Sequence, residues 1–490
     1  MRRIRTLLAS SRFFCGVIAL LIVQAGWIAL TGRYPMAFDE DFHLGVIRLY
    51  AHHLSPFLAG QPAGANVFGA VARDPSYLYH YLMSFPYRFI TLFTHDQTLQ
   101  VLWLRGLNIA LFAIGLVVFR RLLLKTGASR AVVHFSLLLF VLVPVVSQLA
   151  AQINYDNLLL PMTALTLLLT LNFSQELATT KRLNLNLLLS IISLGLLTSL
   201  VKYAFLPILL VIFGYVIAVV WRAYPLKGWC KQSRIQNWLL VLAVLVSAGL
   251  FSQRYVVNIV RYHTPLPDCS KVLSVKACSA YGPWIRDYNF AINRIDEEHN
   301  PLVFTADWLY GMWLRLYFAL DGPAGQYDTR GPLPVPALSM IVFGGFGLGL
   351  LAVYGRRAWA RYNRPALTLL ATTIVVYVAT LWLDEYRAYL RTGQPVAING
   401  RYLFPVLPLL IVLLALAYQE WLRKQSRAKI TMLILVALCF IWGGGALTYI
   451  LRSNDHWYWP NAGVRSANHA LQQVLSPITP GFYQQNDFLH

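Results

Sequence analysis

Charge is what this sequence lacks. Only 12% of its 490 residues are Asp, Glu, Lys or Arg, while 57% are hydrophobic. Soluble domains carry about 25% charged residues, so this surface cannot be solvated by water alone. Also missing are a Walker-type lysine motif, HExxH, GxSxG and paired CxxC, which removes support for ATPase, zincin, serine-hydrolase and zinc-ribbon chemistry. No internal repeat or low-complexity run appears. The 26 Phe, 27 Tyr and 14 Trp exclude disorder, collagen and coiled coil. What remains is an all-α polytopic membrane protein.

Apolar stretches long enough for about 30 Å of hydrocarbon recur along the chain. Eleven transmembrane helices are expected, near 13–30, 101–119, 131–151, 157–173, 185–201, 204–221, 238–257, 335–354, 366–383, 403–418 and 430–450. The first follows Arg2, Arg3, Arg5 and Arg12 but continues into WIALTGRYP with no small-residue cleavage site, so it reads as a retained helix.

The net charge of +21 is an orientation signal. With the N-terminus cytoplasmic, the cytoplasmic segments hold 22 of the 41 basic residues against two acids, Glu176 and Glu420. The remaining 19 bases face 18 acids. No nucleic-acid partner is required. The C-terminus then lies outside, as do segments 31–100, 252–334 and 384–402 and the tail 451–490. The chemistry of residues 1–450 would face the exterior, the periplasm of a bacterial inner membrane. Cys269 and Cys278 share one exterior segment, where an oxidising compartment favours a disulfide over two free thiols. Cys15, Cys230 and Cys439 lie in or beside spans or a cytoplasmic loop.

The first exterior segment opens with Asp39, Glu40, Asp41 and His43. From Glu40 the spacing of Leu44, Ile47 and Tyr50 predicts an amphipathic helix along the membrane surface, ended by Pro56. A flexible Gly/Pro/Ala loop and a Tyr-rich interfacial stretch should follow. In the second segment, RDYNFAINRIDEEHNP reads as a short helix stopped by Pro301, and GPAGQYDTRGPLPVP as an irregular return to the bilayer. The tail from Trp457 shows little pattern.

Carboxylates beside a low-dielectric slab make good general bases for a hydroxyl acceptor. Asp39 and His43, four apart, would share a helix face and could hold a divalent cation. Alternatively the acids only complement a helix N-terminus, although two would suffice for that. In QINYDNLLLP, Asn154, Asp156 and Asn157 are candidates for a cap or, in the case of Asp156, for a pocket acid. Lys202 and Arg401 sit at membrane depth on the outer side, suited to phosphate as a point charge and a planar fork. Snorkelling is the plain alternative for Lys202. Arg73 and Arg105 are lesser candidates of the same kind, and Arg330 and Arg391 read as solvated loop charges. A transferase outside the cell lacks nucleotide sugars and would need a membrane-borne donor.

Together FDEDFHLGVIRLYA, QINYDNLLLP, LVKYAFLP and NGRYLFPVLP resemble the GT-C superfamily, most closely a group of bacterial polytopic proteins related to the protein O-mannosyltransferases. The resemblance covers roughly residues 13–420. It implies a glycosyltransferase that moves a sugar from a polyprenyl-phosphate donor to a hydroxyl of a glycan, lipid or protein. In that scheme Asp39 is the base, and Glu40 shares its role or orients a cation. Arg401 and Lys202 contact the donor phosphate, Asp156 is a pocket acid, and His43, Arg73, Tyr203 and Tyr402 complete the substrate-binding set. No cofactor is required with certainty; a divalent cation is compatible. The alternative is a transporter or flippase of lipid-linked saccharide, but neither repeat symmetry nor matching broken helices in two halves are visible.

Overall fold

The computed structural model describes residues 2–36, 39–229, 234–294, 300–317, 335–396, 398–453, 457, 459 and 461–478. Cys230, Arg330 and the GPAGQYDTRGPLPVP stretch up to residue 334 lie outside the described residues. The described chain is almost entirely helical.

An N-terminal helix, α1 (Arg2–Ala9), leads into α2 (Ser11–Thr31). The first long loop carries α3 (Glu40–Ala51) and α4 (Leu78–Thr91). Then come α5 (Gln97–Leu124), α6 (Arg130–Leu142), α7 (Pro144–Ala151), α8 (Asp156–Thr180), α9 (Leu185–Val201) and α10 (Leu206–Ala223). Helix α11 starts at Arg234 and runs through one π turn, Ser252–Val256, to Tyr262. After two one-turn helices follow α12 (Gly282–Ile292), α13 (Pro301–Tyr317), α14 (Val335–Arg361) and α15 (Arg364–Thr392). The last are α16 (Leu407–Trp421), α17 (Ser426–Gly443), α18 (Gly445–Arg452) and α19 (Ala462–Leu475).

Seven of these helices are long and apolar enough to cross a membrane, or eight if the bent pair α6–α7 forms one span. Eleven uniform spans are not found, for identifiable reasons. Helices α9 and α16 are apolar but shorter, and two expected spans are broken. Pro144 cannot continue the α6 ladder, and the axis turns by 73° there. The expected span over 430–450 breaks at Gly444. The two breaks pack on each other: a Cβ at Gly444 would lie 1.8 Å from the Leu142 carbonyl oxygen. Across this contact the Tyr449 hydroxyl reaches Pro144 O at 3.1 Å and Gln148 Oε1 at 2.8 Å, tying α18 to the start of α7.

Elsewhere the expected boundaries shift. Helix α11 continues to Tyr262 and α15 to Thr392. Pro301 opens a helix instead of stopping one, in keeping with its fixed φ and missing N–H. The tail carries α19, tied by Asn468 and Gln472 to Ile450 O.

Backbone hydrogen bonds sort the turns into two ends. Asn363 N donates to Thr126 O and Lys227 N to Lys181 O, so these basic turns meet at one end. The connections holding Asp39, Asp156, Lys202 and Arg401 gather at the other. Helix α5 lies against α8, where a Cβ at Gly115 would come within 2.9 Å of Leu160 Cδ2; small residues allow such close approach between membrane helices.

Candidate functional site

The site begins with a backbone irregularity. Asp39 adopts left-handed φ of 67° and ψ of 32° just before α3, a region Asp tolerates better than most residues. Its side chain makes no capping bond to α3. The carboxylate turns away and accepts a hydrogen bond from Arg401 Nη2 at 2.8 Å. The Asp39 side chain is 53% exposed, whereas that of Arg401 is 12% exposed. Asn399 Oδ1 accepts from Arg401 N at 3.0 Å and fixes the short turn Gly400–Leu403 that carries the guanidinium.

Glu40 does something different from its neighbour. It is fully buried and forms a fork-to-fork pair with Arg105, Nε to Oε1 at 2.8 Å and Nη2 to Oε2 at 2.7 Å. Its oxygens also accept from Met36 N at 2.8 Å and Ile153 N at 3.1 Å. Arg105 Nη1 donates to Ala29 O and Gly32 O, and the guanidinium lies over the Trp459 ring. This pair stitches the end of α2, the start of α3, α5 and the 152–156 turn together. Both Glu40 oxygens are occupied by the protein itself, and so are the guanidinium nitrogens of Arg105, which is therefore no phosphate ligand. Asp39 and Asp41 are both exposed at the start of α3, but the Asp39 carboxylate engages Arg401 and that of Glu40 engages Arg105, so helix-dipole complementation does not account for the whole cluster.

A second charge pair backs the first. Lys202, at the end of α9, donates from Nζ to Asp156 Oδ1 at 2.8 Å, with both side chains nearly buried. Burial lowers the Lys202 pKa, opposed by the Asp156 carboxylate. The Lys202 ammonium lies 4.5 Å from the Tyr155 ring centre and 5.6 Å from that of Tyr402. The Arg401 guanidinium lies 5.2 Å from the same Tyr402 ring. One aromatic ring therefore borders both cations.

In the turn before α8, Asn154 Oδ1 accepts from Asp156 N at 2.9 Å, while the N-cap position itself is held by Tyr155 without a side-chain cap. Asn157 Nδ2 fastens Asn108, Leu149 O and Gln152 O. Asp156 is thereby left for Lys202.

His43 is buried and bonds to His80 at 2.8 Å, its ring 4.5 Å from that of Tyr155. His80 was not anticipated; its pairing with His43 joins α3 to α4, and a lone His in a Tyr-rich stretch gave no signal of it. The partner of His43 is thus a second imidazole and not Asp39. Among the described residues no group of three or more His, Cys, Asp or Glu side chains gathers around a possible metal position.

Tyr203 is 41% exposed, and its N–H donates to Ser76 Oγ at 3.1 Å, linking the Lys202 turn to the first loop. Among the described contacts no hydrogen bond or ion pair ties the Arg73 side chain to Asp39, Lys202 or Arg401; the cations acting on it are Arg254 and Arg261.

The loop expected to be flexible is instead packed against α3. Gln61 Nε2 donates to Gly69 O at 2.8 Å, and Phe68 approaches α3 so closely that a Cβ at Gly45 would lie 2.2 Å from its ring. Likewise the Tyr-rich helix is not merely interfacial. Tyr77 and Tyr79 are buried, and the Tyr79 hydroxyl donates to Asn108 Oδ1 at 2.9 Å. In the second loop Cys269 and Cys278 form a disulfide, packed with Trp284. Tyr281 beside it reaches the first loop at Gly69 and Phe42.

Three comparisons set this arrangement among known proteins. No curated protein sequence matches the chain. The apo oligosaccharyltransferase of Archaeoglobus fulgidus is similar at 13% identity with a TM-score of 0.45, over 98% of this chain and 62% of that one. The archaeal oligosaccharyltransferase AglB from the same organism, in complex with an inhibitory peptide and a dolichol-phosphate, gives 12% identity and a TM-score of 0.42, over 97% and 61% of the two chains. The chain thus spans about three-fifths of the length of these structures. Residues 28–262 match the family described as dolichyl-phosphate-mannose-protein mannosyltransferase. That segment holds Asp39, Glu40, His43, Asp156, Lys202 and Tyr203 but not Arg401 or Tyr402.

Proposed function

We propose that this chain transfers a sugar from a polyprenyl-phosphate-linked donor to an acceptor hydroxyl of a glycan, lipid or protein. The reaction takes place on the exterior, periplasmic face of a bacterial inner membrane, with the N-terminus in the cytoplasm and the C-terminus outside. The observation that carries the proposal is the Asp39–Arg401 pair at 2.8 Å, with Lys202 on the neighbouring side of Tyr402. A half-exposed carboxylate stands beside two cations that flank one tyrosine ring. The family match over residues 28–262 supports the lipid-phosphate class of donor.

In the donor-free state Arg401 is held by Asp39. An arriving phosphate competes for that guanidinium, a fork suited to phosphate oxygens, and so releases the carboxylate as it seats the donor. The acceptor oxygen then attacks the anomeric carbon while Asp39 takes its proton. The bond from that carbon to the phosphate oxygen breaks, and lipid phosphate leaves. Arg401 and Lys202 stabilise the charge developing on it, the electrostatic contribution that is usually the largest in such steps. One in-line displacement inverts the anomeric centre. Glu40, with both oxygens engaged, is a positioning residue that fixes the Asp39 turn.

The test is a comparison of envelope glycans by mass spectrometry in cells with the protein, without it, and with Asp39→Asn. Loss of the same glycan in the second and third supports the base assignment. An unchanged glycan in Asp39→Asn cells sinks it. A flippase would instead move the lipid-linked sugar across vesicles without releasing lipid phosphate.

A further inference from the structure

At the end of the bundle opposite Asp39, a cavity of about 560 Å³ opens between α1, α6, α14, α16 and α17. That volume lies within the roughly 300–1,000 Å³ of ligand cavities. Its depth is lined by Leu139, Phe343, Ile411, Leu414, Met432 and Phe440, without a charged side chain among them. The charged groups lining it are Arg5 and Lys429.

The polar groups at the mouth divide into two kinds. Tyr418 donates to Phe343 O at 2.8 Å, and Gln419 Oε1 accepts from Tyr362 at 2.8 Å, so both are engaged within the protein. The cations are not balanced in this way. The charged groups acting most strongly on Lys429 are Glu420, Arg361, Arg423 and Arg5. Lys429 Nζ donates only a 3.3 Å bond to Arg423 O in the described contacts. Glu420 in turn pairs with Arg361 at 3.4 Å. The one acid acting on Lys429 is thus already paired, while Arg361, Arg423 and Arg5 act on this lysine with the same sign of charge. An apolar slot between membrane helices with two cations, Arg5 and Lys429, in its lining is complementary to a molecule with an acyl chain and an anionic headgroup. A neutral lipid would leave the cations unanswered, and a soluble anion would leave the slot unfilled. Basic pockets between membrane helices hold anionic headgroups in this way.

We propose that this cavity is a binding site for an anionic glycerophospholipid, its acyl chain in the slot and its phosphate between Arg5 and Lys429. The site is separate from the Asp39 cluster and independent of the reaction proposed there.

The experiment uses the full-length protein purified in neutral detergent, with phosphatidylglycerol or phosphatidylcholine titrated in and retained lipid read by native mass spectrometry. Phosphatidylglycerol should be retained and phosphatidylcholine lost. Each surface cation contributes about fivefold to anionic-lipid affinity. Arg5→Gln and Lys429→Gln should therefore each weaken retention about fivefold, and the double variant about 25-fold. Ala415→Phe keeps every charge but fills the slot, and should abolish retention while the protein stays folded. Equal retention of the two lipids, or phosphatidylglycerol retention unchanged in these variants, overturns the proposal. So does displacement of phosphatidylglycerol by polyprenyl phosphate, which would assign the slot to the donor's tail.

Discussion

Asp39 and Arg401 are separated by 362 positions in the chain, yet their side chains meet at 2.8 Å. The contact brings the start of the first long loop onto the turn before α16 and sets an exposed carboxylate against a mostly buried guanidinium. Under the proposed reaction Arg401 would have a choice of partner: the aspartate without donor, a phosphate with it.

Substitution at Arg401 tests that choice. Arg401→Gln removes the charge and the fork, and should lower kcat/KM for a lipid-phosphate sugar by about 100–1,000-fold. Arg401→Lys keeps the charge without the planar fork and should fall between this and wild type. Equal activity of the lysine variant and wild type in proteoliposomes would show that fork geometry is not used.

Glu40 and Arg105 call for the opposite readout. Both are fully buried and bonded to each other. Glu40→Gln leaves a buried cation uncompensated, which typically costs about 3–5 kcal/mol. The expected result is a lower Tm and poor yield in detergent, whereas Asp39→Asn, at a half-exposed carboxylate, should fold normally and lose only turnover. Adding Arg105→Met to Glu40→Gln should restore part of the stability. A Glu40→Gln protein with unchanged Tm would refute the positioning role.

The Lys202–Asp156 pair separates folding from donor use. Asp156 Oδ2 is buried and has no hydrogen-bond partner among the described residues, so the carboxylate depends on Lys202. Lys202→Met alone should destabilise the protein by leaving that carboxylate unpaired. Lys202→Met combined with Asp156→Leu should recover the fold yet keep a raised KM for the donor. Normal KM in the folded double variant would mean that Lys202 serves structure only.

What the sequence made legible follows from how far each signal reaches. The helical class and the grouping of Asp39, Asp156, Lys202 and Arg401 at one end of the bundle could be read from hydropathy and charge, because each depends on runs of residues or on position relative to the apolar spans. The division of labour between Asp39 and Glu40 could not. Adjacent acids look alike in sequence, and only the left-handed turn at Asp39 sends one toward Arg401 and the other toward Arg105. The broken spans were hidden for a related reason. Pro144 and Gly444 interrupt ladders within continuous apolar runs, where hydropathy averages over the interruption. The His43–His80 bond joins residues 37 apart, beyond the reach of helical spacing.

That bond gives the last prediction. Ser76 O can only accept, so His80 Nδ1, 3.1 Å away, donates to it. His80 Nε2 is then an acceptor, and His43 Nδ1 donates to it at 2.8 Å. The relay holds with both rings neutral. Burial lowers the His80 pKa to about 3. Burial, then the neighbouring His80, Arg401 and Lys202, hold His43 well below the usual histidine range. An unfolded chain would bind protons near pH 6.5, the ordinary histidine value, while the folded one resists them. Stability from this pair is therefore complete above about pH 6.5 and is lost as the pH falls toward the folded values, by about 1.4 kcal/mol per pH unit for each histidine. Tm measured in detergent between pH 7.5 and 4.5 should drop on the acid side. In His43→Gln/His80→Gln that slope should flatten, although the variant starts from a lower Tm. Parallel curves for the two proteins would mean that acid sensitivity comes from other groups.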